Sequence, residues 1–436
     1  MSVHTLITLL FVRFLALYAG TSPIVTIPLD KQYVPVQRNN VTVAYKTAYF
    51  GKVFLGLPQP QNFTVVFDTG SGHFFLPSAG CDTETCRMHR RYNRTASATA
   101  VDIDHDGHAV DRRATERDQV AIVYGTGEIV GEFVRETICL GNQLSSVDAE
   151  PTLNTSERAD CTKVRVILAT EMTREPFWTF KFDGVLGLGL ESLALDPEFS
   201  FFGQMSRLNN LTEARFGYFL SRNDRRPSEI SFGGHDARRV ASELQWAPVE
   251  KPELGYWQVK ILSVTVAGKA LPMCQESDCL AIADTGTSLI GVPKQVVQNV
   301  HLQLARKVPD DPAEIDCREF PGPDLVFELE GGVTLTLGPE DYSRATAMRV
   351  LQKKSNKAQV ICRASLLPVE QDPALNPNTW ILGEPVLRKY YTAYDWRRKQ
   401  IGFAPAVQPP ESDEEPTHLV IDAPPTEAPI PAVVHV

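Results

Sequence analysis

One short motif occurs twice in this chain, half a chain apart, and it constrains the fold more than any other feature. Asp68-Thr69-Gly70-Ser71 lies in the first half and Asp284-Thr285-Gly286-Thr287-Ser288 in the second. Each follows an apolar run, Val65-Val66-Phe67 and Leu280-Ala281-Ile282-Ala283, and each is followed by more apolar residues and a proline. Paired turns of this kind predict two carboxylates that meet across a pseudo-two-fold axis. One can then be charged while the other holds a proton, the division of labour that a water-activating acid/base pair needs.

At 436 residues the chain exceeds what one hydrophobic core usually serves, so two lobes are expected. From about Val41 the pattern is all-β. Short runs such as Val53-Phe54-Leu55-Gly56, Phe63-Thr64-Val65-Val66-Phe67 and Val120-Ala121-Ile122-Val123-Tyr124 are separated by glycines, prolines and asparagines. Helical signals are few, over 199–208 and 293–306. The halves echo each other again in Phe182-Asp183-Gly184-Val185-Leu186-Gly187 and Thr379-Trp380-Ile381-Leu382-Gly383. Both close an apolar pair with glycine, which predicts a close backbone approach beneath the aspartate turns. Tyr124-Gly125-Thr126-Gly127 reads locally as a hairpin tip. The polar stretch 220–227 marks the lobe boundary. Beyond Ala406 the Pro-, Glu- and Asp-rich composition predicts a disordered tail, without the apolar end of a lipid-anchor signal.

The stretch 6–18 is apolar but broken by Arg13, and small residues follow at Ala19 and Gly20. It is too short to span a bilayer and reads as a signal peptide over 1–20. Eight cysteines, none in a Cys-x-x-Cys pair, and sequons at Asn40, Asn62, Asn93, Asn154 and Asn210 fit the secretory route. Cys81 and Cys86 lie five apart in a polar loop, as do Cys274 and Cys279, so each pair can close locally. Cys317 and Cys362 flank a segment rich in glycine and β-branched residues and read as joining neighbouring strands. Cys139 and Cys161 remain, each beside a strand-like run, and are expected to pair across an insertion that carries Asn154. The net charge of −10 argues against nucleic acid as a partner. Asp102-Ile103-Asp104-His105-Asp106-Gly107 imitates the start of a calcium loop, but its twelfth position is Arg113 and no helix flanks it. It reads as a solvated acidic loop, and no metal or cofactor is expected.

Taken in order, Phe67-Asp68-Thr69-Gly70-Ser71, Tyr124-Gly125-Thr126-Gly127, Phe182-Asp183-Gly184-Val185-Leu186-Gly187, Asp284-Thr285-Gly286-Thr287-Ser288 and Trp380-Ile381-Leu382-Gly383 resemble the pepsin-like aspartic endopeptidases, over about 47–407. The resemblance implies an all-β, bilobal, pepsin-like acid protease fold with a few short helices and the active site between the lobes. It divides the chain into the signal peptide, a short pro-like or N-terminal strand segment 21–46, an N-terminal lobe 47–222, a C-terminal lobe 223–405 and the tail 406–436. It implies that Asp68 and Asp284 activate a water for peptide hydrolysis and that Thr69 and Thr285 cross-link the two turns. Ser71 and Thr287 would hydrogen-bond to the carboxylates, and Gly70, Gly286 and Ser288 would complete the turns. Tyr124, Gly125 and Thr126 would form a mobile flap over the substrate. Val66, Phe75, Phe177, Phe182, Val185 and Ile282 are candidates for the apolar walls of the cleft, favouring bulky hydrophobic residues beside the scissile bond. The pairs 81–86, 274–279 and 317–362 fall where the family has its three bridges, and 139–161 is an addition.

The implied partners are polypeptide substrates, met by a monomer without stable membrane insertion once the signal is cleaved. The implied location is the secretory route, either secreted or in an acidic endolysosomal or vacuolar lumen. Some positions depart from the family pattern. Phe75 stands where many members carry tryptophan, Glu384 where aspartate is common, and Gly72 and His73 are less usual neighbours of the first turn. Val25-Thr26-Ile27-Pro28-Leu29 resembles the family's first propeptide strand, but the basic helical segment that follows it is absent. A shared proton implies activity below neutrality, and 43 basic against 53 acidic residues argue for an optimum of roughly pH 4–6 rather than strong acid. The alternative is a catalytically inactive binding or inhibitor protein on the same scaffold. Such proteins typically lose an aspartate or a neighbouring glycine, and here both turns are intact.

Overall fold

A computed structural model describes residues 24–38, 41–111, 113–114, 116–140, 160–208, 211–308, 315–351, 358–370, 375–408, 418–423 and 433–435. The segment 1–20 read as a signal peptide, the insertion 141–159 and the sequons at Asn40, Asn154 and Asn210 lie outside the described residues. The described chain is mostly strand, and its longest helices, Phe201–Leu208 and Val297–Leu304, have eight residues each. The second starts later than the sequence pattern predicts because Ile290–Pro293 is drawn into a sheet.

The strand Gln61–Asp68 delivers the first aspartate turn. It runs parallel to Gly184–Gly187, with Val66 opposite Val185 and Asp68 opposite Gly187. Past the turn, Phe74–Pro77 runs antiparallel to the same strand. The second half repeats the arrangement. Cys279–Ala283 runs parallel to Thr379–Leu382, and Ile290–Pro293 runs antiparallel to it. Each turn is thus threaded between two strands that satisfy the flanking backbone groups, which leaves the aspartate side chain free to face outward. The closing glycines make this possible. A Cβ on Gly187 would lie 2.6 Å from the His73 amide nitrogen, and one on Gly383 2.3 Å from the Leu289 carbonyl oxygen. Only a hydrogen fits at either position.

One sheet region joins the halves. Gln245–Pro248, Gln400–Pro405, Tyr390–Asp395, Arg215–Phe219, Ser228–Phe232 and the first part of Val25–Arg38 are successive antiparallel neighbours. The stretch 220–227, where the sequence places the lobe boundary, is the bend of a hairpin in this shared sheet. Trp257 is fully buried above it, edge-on to Phe216 and Tyr394, and its indole N–H donates to the Leu188 carbonyl at 2.8 Å. A single apolar cluster therefore runs from Val65 and Phe67 in the first half to Ala281 and Leu382 in the second. At about 25 cal/mol per Å² of apolar surface removed from water, that burial is the main force holding the two aspartate turns in register.

Four disulfides join Cys81–Cys86, Cys139–Cys161, Cys274–Cys279 and Cys317–Cys362. Cys139 and Cys161 are register partners at the end of the long hairpin Gly127–Leu140 and Cys161–Met172. The tail differs from a wholly disordered one. Val420–Ile421 pairs in parallel with Lys31 and Gln32, and Val433–His435 pairs with Met348–Leu351. Short β-branched runs suffice for this, and the acidic, proline-rich average of the tail hides them. Among the described residues no helix is long and apolar enough to cross a membrane.

Candidate active site

The two aspartate turns face each other and are locked by their threonines. Thr69 N–H donates to Thr285 Oγ1 at 3.0 Å, and Thr285 N–H donates to Thr69 Oγ1 at 3.0 Å. Each hydroxyl then donates across the pseudo-axis, Thr69 to the Ala283 carbonyl at 2.8 Å and Thr285 to the Phe67 carbonyl at 2.6 Å. Both threonines are buried. The lock brings Asp68 and Asp284 together from opposite halves. A Cβ on Gly70 would lie 2.8 Å from Asp284 Oδ1, and a Cβ on Gly286 would lie 2.6 Å from Asp68 Oδ1. Each glycine is thus the floor beneath the other turn's carboxylate.

The carboxylates are not equivalent. Gly70 N–H donates to Asp68 Oδ1 at 2.9 Å and Gly286 N–H to Asp284 Oδ1 at 2.8 Å. Asp284 Oδ2 also accepts from the Thr287 hydroxyl at 2.6 Å. Ser71 holds the matching position beside Asp68. Its buried hydroxyl is near enough to favour the Asp68 anion but makes no well-aligned hydrogen bond. Burial first, and then the facing Asp284 charge, push the Asp68 carboxyl up to about 7, against the weaker pull of Ser71 and the Gly70 amide. The Asp68 carboxyl thus keeps its proton toward neutrality beside the facing Asp284 side chain.

Above Asp68, the strands Gln119–Tyr124 and Gly127–Leu140 form a hairpin with Tyr124 opposite Gly127, so Gly125 and Thr126 are its tip. Gly125 has φ +60°, a left-handed conformation that suits glycine. The Tyr124 ring turns inward to 4.8 Å from the Phe75 ring. Burial, and then the Asp68 charge, hold its phenol well above the usual range, and its buried hydroxyl has no hydrogen-bond partner among the described residues. Phe75 has no donor to offer it. Val66, Phe75, Phe177, Phe182 and Val185 belong to one apolar cluster beneath this hairpin. Ile282 is buried in the other half, outside that cluster.

A family model described as eukaryotic aspartyl protease matches residues 48–406. The chain belongs to the eukaryotic aspartyl protease family. Cathepsin E of Rattus norvegicus is 31% identical over 364 residues, 82% of this chain and 80% of that protein. Pepsin A of Canis lupus familiaris is 30% identical over 359 residues, covering 82% and 81%. A pregnancy-associated glycoprotein of Equus caballus is 32% identical over 363 residues, covering 83% and 81%.

Several positions that set this aspartyl protease apart now have a structural reason. A Cβ on Gly72 would meet the Leu193 backbone at 2.5 Å, and His73 Nε2 accepts from the Leu195 N–H at 2.9 Å. Both residues seat the loop that follows Leu190, and burial pushes the His73 imidazole down to about 4, which keeps it a neutral acceptor. Ser288 ties the second turn to the first half, accepting from Thr47 N–H at 3.1 Å and donating to the Thr47 carbonyl at 2.8 Å.

Glu384 does the same from the next element. It accepts from the Thr47 hydroxyl, accepts from the Tyr49 hydroxyl at 2.6 Å and lies 3.9 Å from Lys31 Nζ. Lys31, only 4% exposed, also pairs with Asp224 at 3.0 Å and donates to the Tyr33 hydroxyl at 2.7 Å. Burial pulls its ammonium below the ordinary lysine range, while Glu384 and Asp224 oppose that shift. The sequence reading missed Lys31 and Asp224. The usable signal was Glu384, whose side chain is one methylene longer than the aspartate it replaces. Asp102, part of the apparent calcium loop, is buried and paired with Arg94 and Arg117 at 3.1 Å each. Asn62 and Asn93 are exposed, and Asn93 Oδ1 accepts from Thr95 N–H at 3.1 Å.

Proposed function

We propose that the protein is an endopeptidase in which Asp68 and Asp284 act together on one water, at acidic pH, on peptide bonds beside bulky hydrophobic residues. The observation that carries the reading is the raised Asp68 carboxyl held against Asp284 by the threonine lock. Asp68 enters as the acid and Asp284 as the base. Asp284 takes a proton from the water as its oxygen attacks the peptide carbonyl carbon, and Asp68 gives its proton to the carbonyl oxygen. The tetrahedral diol then collapses. The C–N bond breaks, Asp284 passes its proton to the leaving nitrogen, and a diol hydroxyl returns one to Asp68. One proton is left on the pair, as at the start.

The hairpin tip at Gly125 and Thr126 closes over the substrate backbone. The cluster of Val66, Phe75, Phe177, Phe182 and Val185 receives an apolar side chain from one half and Ile282 borders it from the other. Above the upper ionisation of the pair no acid remains, which places the working range below neutrality and suits an acidic lumen of the secretory or endolysosomal route. Entry by a cleaved signal, glycans at Asn62 and Asn93, and a monomeric state belong to the same reading.

The test is hydrolysis of a peptide library by wild type, Asp68→Asn and Asp284→Asn at pH 3–8. The amides keep the shape but cannot complete the proton cycle, so both variants are expected to be inactive while folded. A folded variant that kept more than about a hundredth of wild-type turnover would remove the two-aspartate assignment.

A further inference from the structure

The tail strand Val420–Ile421 is not parked on a remote surface. It adds in parallel to the strand Val25–Arg38, with Val420 opposite Lys31 and Ile421 opposite Gln32. Lys31 N–H donates to the Leu419 carbonyl at 2.9 Å, and Leu419 N–H donates to Asp30 Oδ1 at 2.7 Å. His418 is buried, whereas Leu419 is exposed. Ile421 packs against the apolar cluster that holds Val66, Phe75, Phe177, Phe182 and Val185.

One residue couples this strand to the rim of that cluster. Gln32, 1% exposed, donates to the Thr179 carbonyl at 2.9 Å and accepts from Lys181 N–H at 2.9 Å. Its Nε2 also lies 3.4 Å from Asp422 Oδ2. Thr179 and Lys181 belong to the short segment between Phe177 and Phe182. The tail, Gln32 and the pocket segment therefore form one packed unit.

We propose that the tail strand is a built-in wall of the substrate pocket, in which Ile421 limits the size of the apolar side chain admitted and Gln32 fixes the 177–182 segment against it. The inference rests on the endopeptidase reading and deepens it by naming what sets the pocket's far limit. A wall, rather than a plug, fits the contacts. Among the described residues the hydrogen bonds of 418–422 run to Asp30, Lys31 and Gln32, and none reaches an aspartate turn or Tyr124.

The experiment compares kcat/KM for peptide pairs that differ only as leucine or tryptophan at each position around the scissile bond. Wild type, Ile421→Ala and a chain ending at Gln408 are assayed. Removing up to three carbons from an apolar wall is worth about tenfold in size discrimination. The Trp-to-Leu ratio is expected to rise about tenfold at one position in both variants. An unchanged ratio at every position, with or without lost stability, overturns the proposal and leaves the tail a structural strand. An equal rise for all peptides also overturns it, because that is the behaviour of a plug. If the wild type cleaves no peptide, the endopeptidase reading fails instead, and the same ratio is then read from peptide binding constants.

Discussion

Replacing Asp68 by asparagine probes its raised carboxyl through stability, independently of turnover. The Asp68 carboxyl is raised from 3.8 to about 7, so the folded protein holds this proton more tightly than the unfolded chain does. The stability it contributes is complete below pH 3.8 and is lost as pH rises from 3.8 through 7. Over that interval of about 3 pH units, at about 1.4 kcal/mol each, the folded state loses about 4 kcal/mol. Asparagine carries no charge at any pH, so the variant escapes the loss. Asp68→Asn is expected to equal wild type or fall slightly below it at pH 4, where the wild-type group is protonated and only a hydroxyl donor is lost. At pH 7.5 the variant should be the more stable by up to about 4 kcal/mol. Guanidinium unfolding of both proteins at pH 4, 5.5 and 7.5 measures this, provided the denaturant slopes agree. A stability difference that did not change with pH would refute the reasoning, because Asp68 would then titrate in the folded protein as it does in the unfolded chain.

Two further outcomes follow from the same geometry. Thr285→Val removes the acceptor of the buried Thr69 N–H and the donor to the Phe67 carbonyl. It should cost about 2–4 kcal/mol in denaturant unfolding and lower kcat more than it raises KM, whereas a loss below about 0.5 kcal/mol would show that the lock carries no strain-bearing hydrogen bonds. Tyr124→Phe deletes a buried hydroxyl that has no partner among the described residues, so stability should stay level or rise by up to about 1 kcal/mol, and a loss of more than about 1 kcal/mol would mean the hydroxyl is satisfied in solution.

What the sequence made legible was local and duplicated. The aspartate turns, their threonines and the closing Gly187 and Gly383 are read from chemistry within a few residues, because a tight turn or a backbone contact admits few side chains. The hairpin tip at Gly125–Thr126 and the short cysteine pairs are local in the same sense. The hidden features depend on partners far away in the chain. Glu384 meets Thr47, Tyr49 and Lys31 across more than three hundred residues, and Ile421 meets an apolar cluster assembled from the first half. No periodicity encodes such contacts. The orphaned Tyr124 hydroxyl was hinted at by Phe75, but only its burial makes the missing donor matter.

The N-terminal strand gives the clearest case of a sequence likeness and a structural role diverging. Val25-Thr26-Ile27-Pro28-Leu29 resembles the start of a removable pro-segment. In the fold the same residues pair with Ser228–Phe232, and Ile27 and Leu29 enter the main core. A Cβ on Gly51 would lie 2.8 Å from Ile27 Cγ2, so the next strand is shaped to receive them. Two residues on, Lys31 supplies a cation to the partly buried Glu384 and Asp224, and its own backbone N–H holds the tail. Taking this strand away would uncover a sheet edge, strand a partly buried carboxylate and release Ile421 from the apolar cluster at once. Breaking a fully buried ion pair costs about 3–5 kcal/mol, and solvent at Glu384 and Asp224 makes the cost here smaller, against the roughly 5–15 kcal/mol that separates folded from unfolded protein. A segment bound in this way is part of the folded core, unlike the exposed hairpin tip at Gly125–Thr126, which can move without such losses.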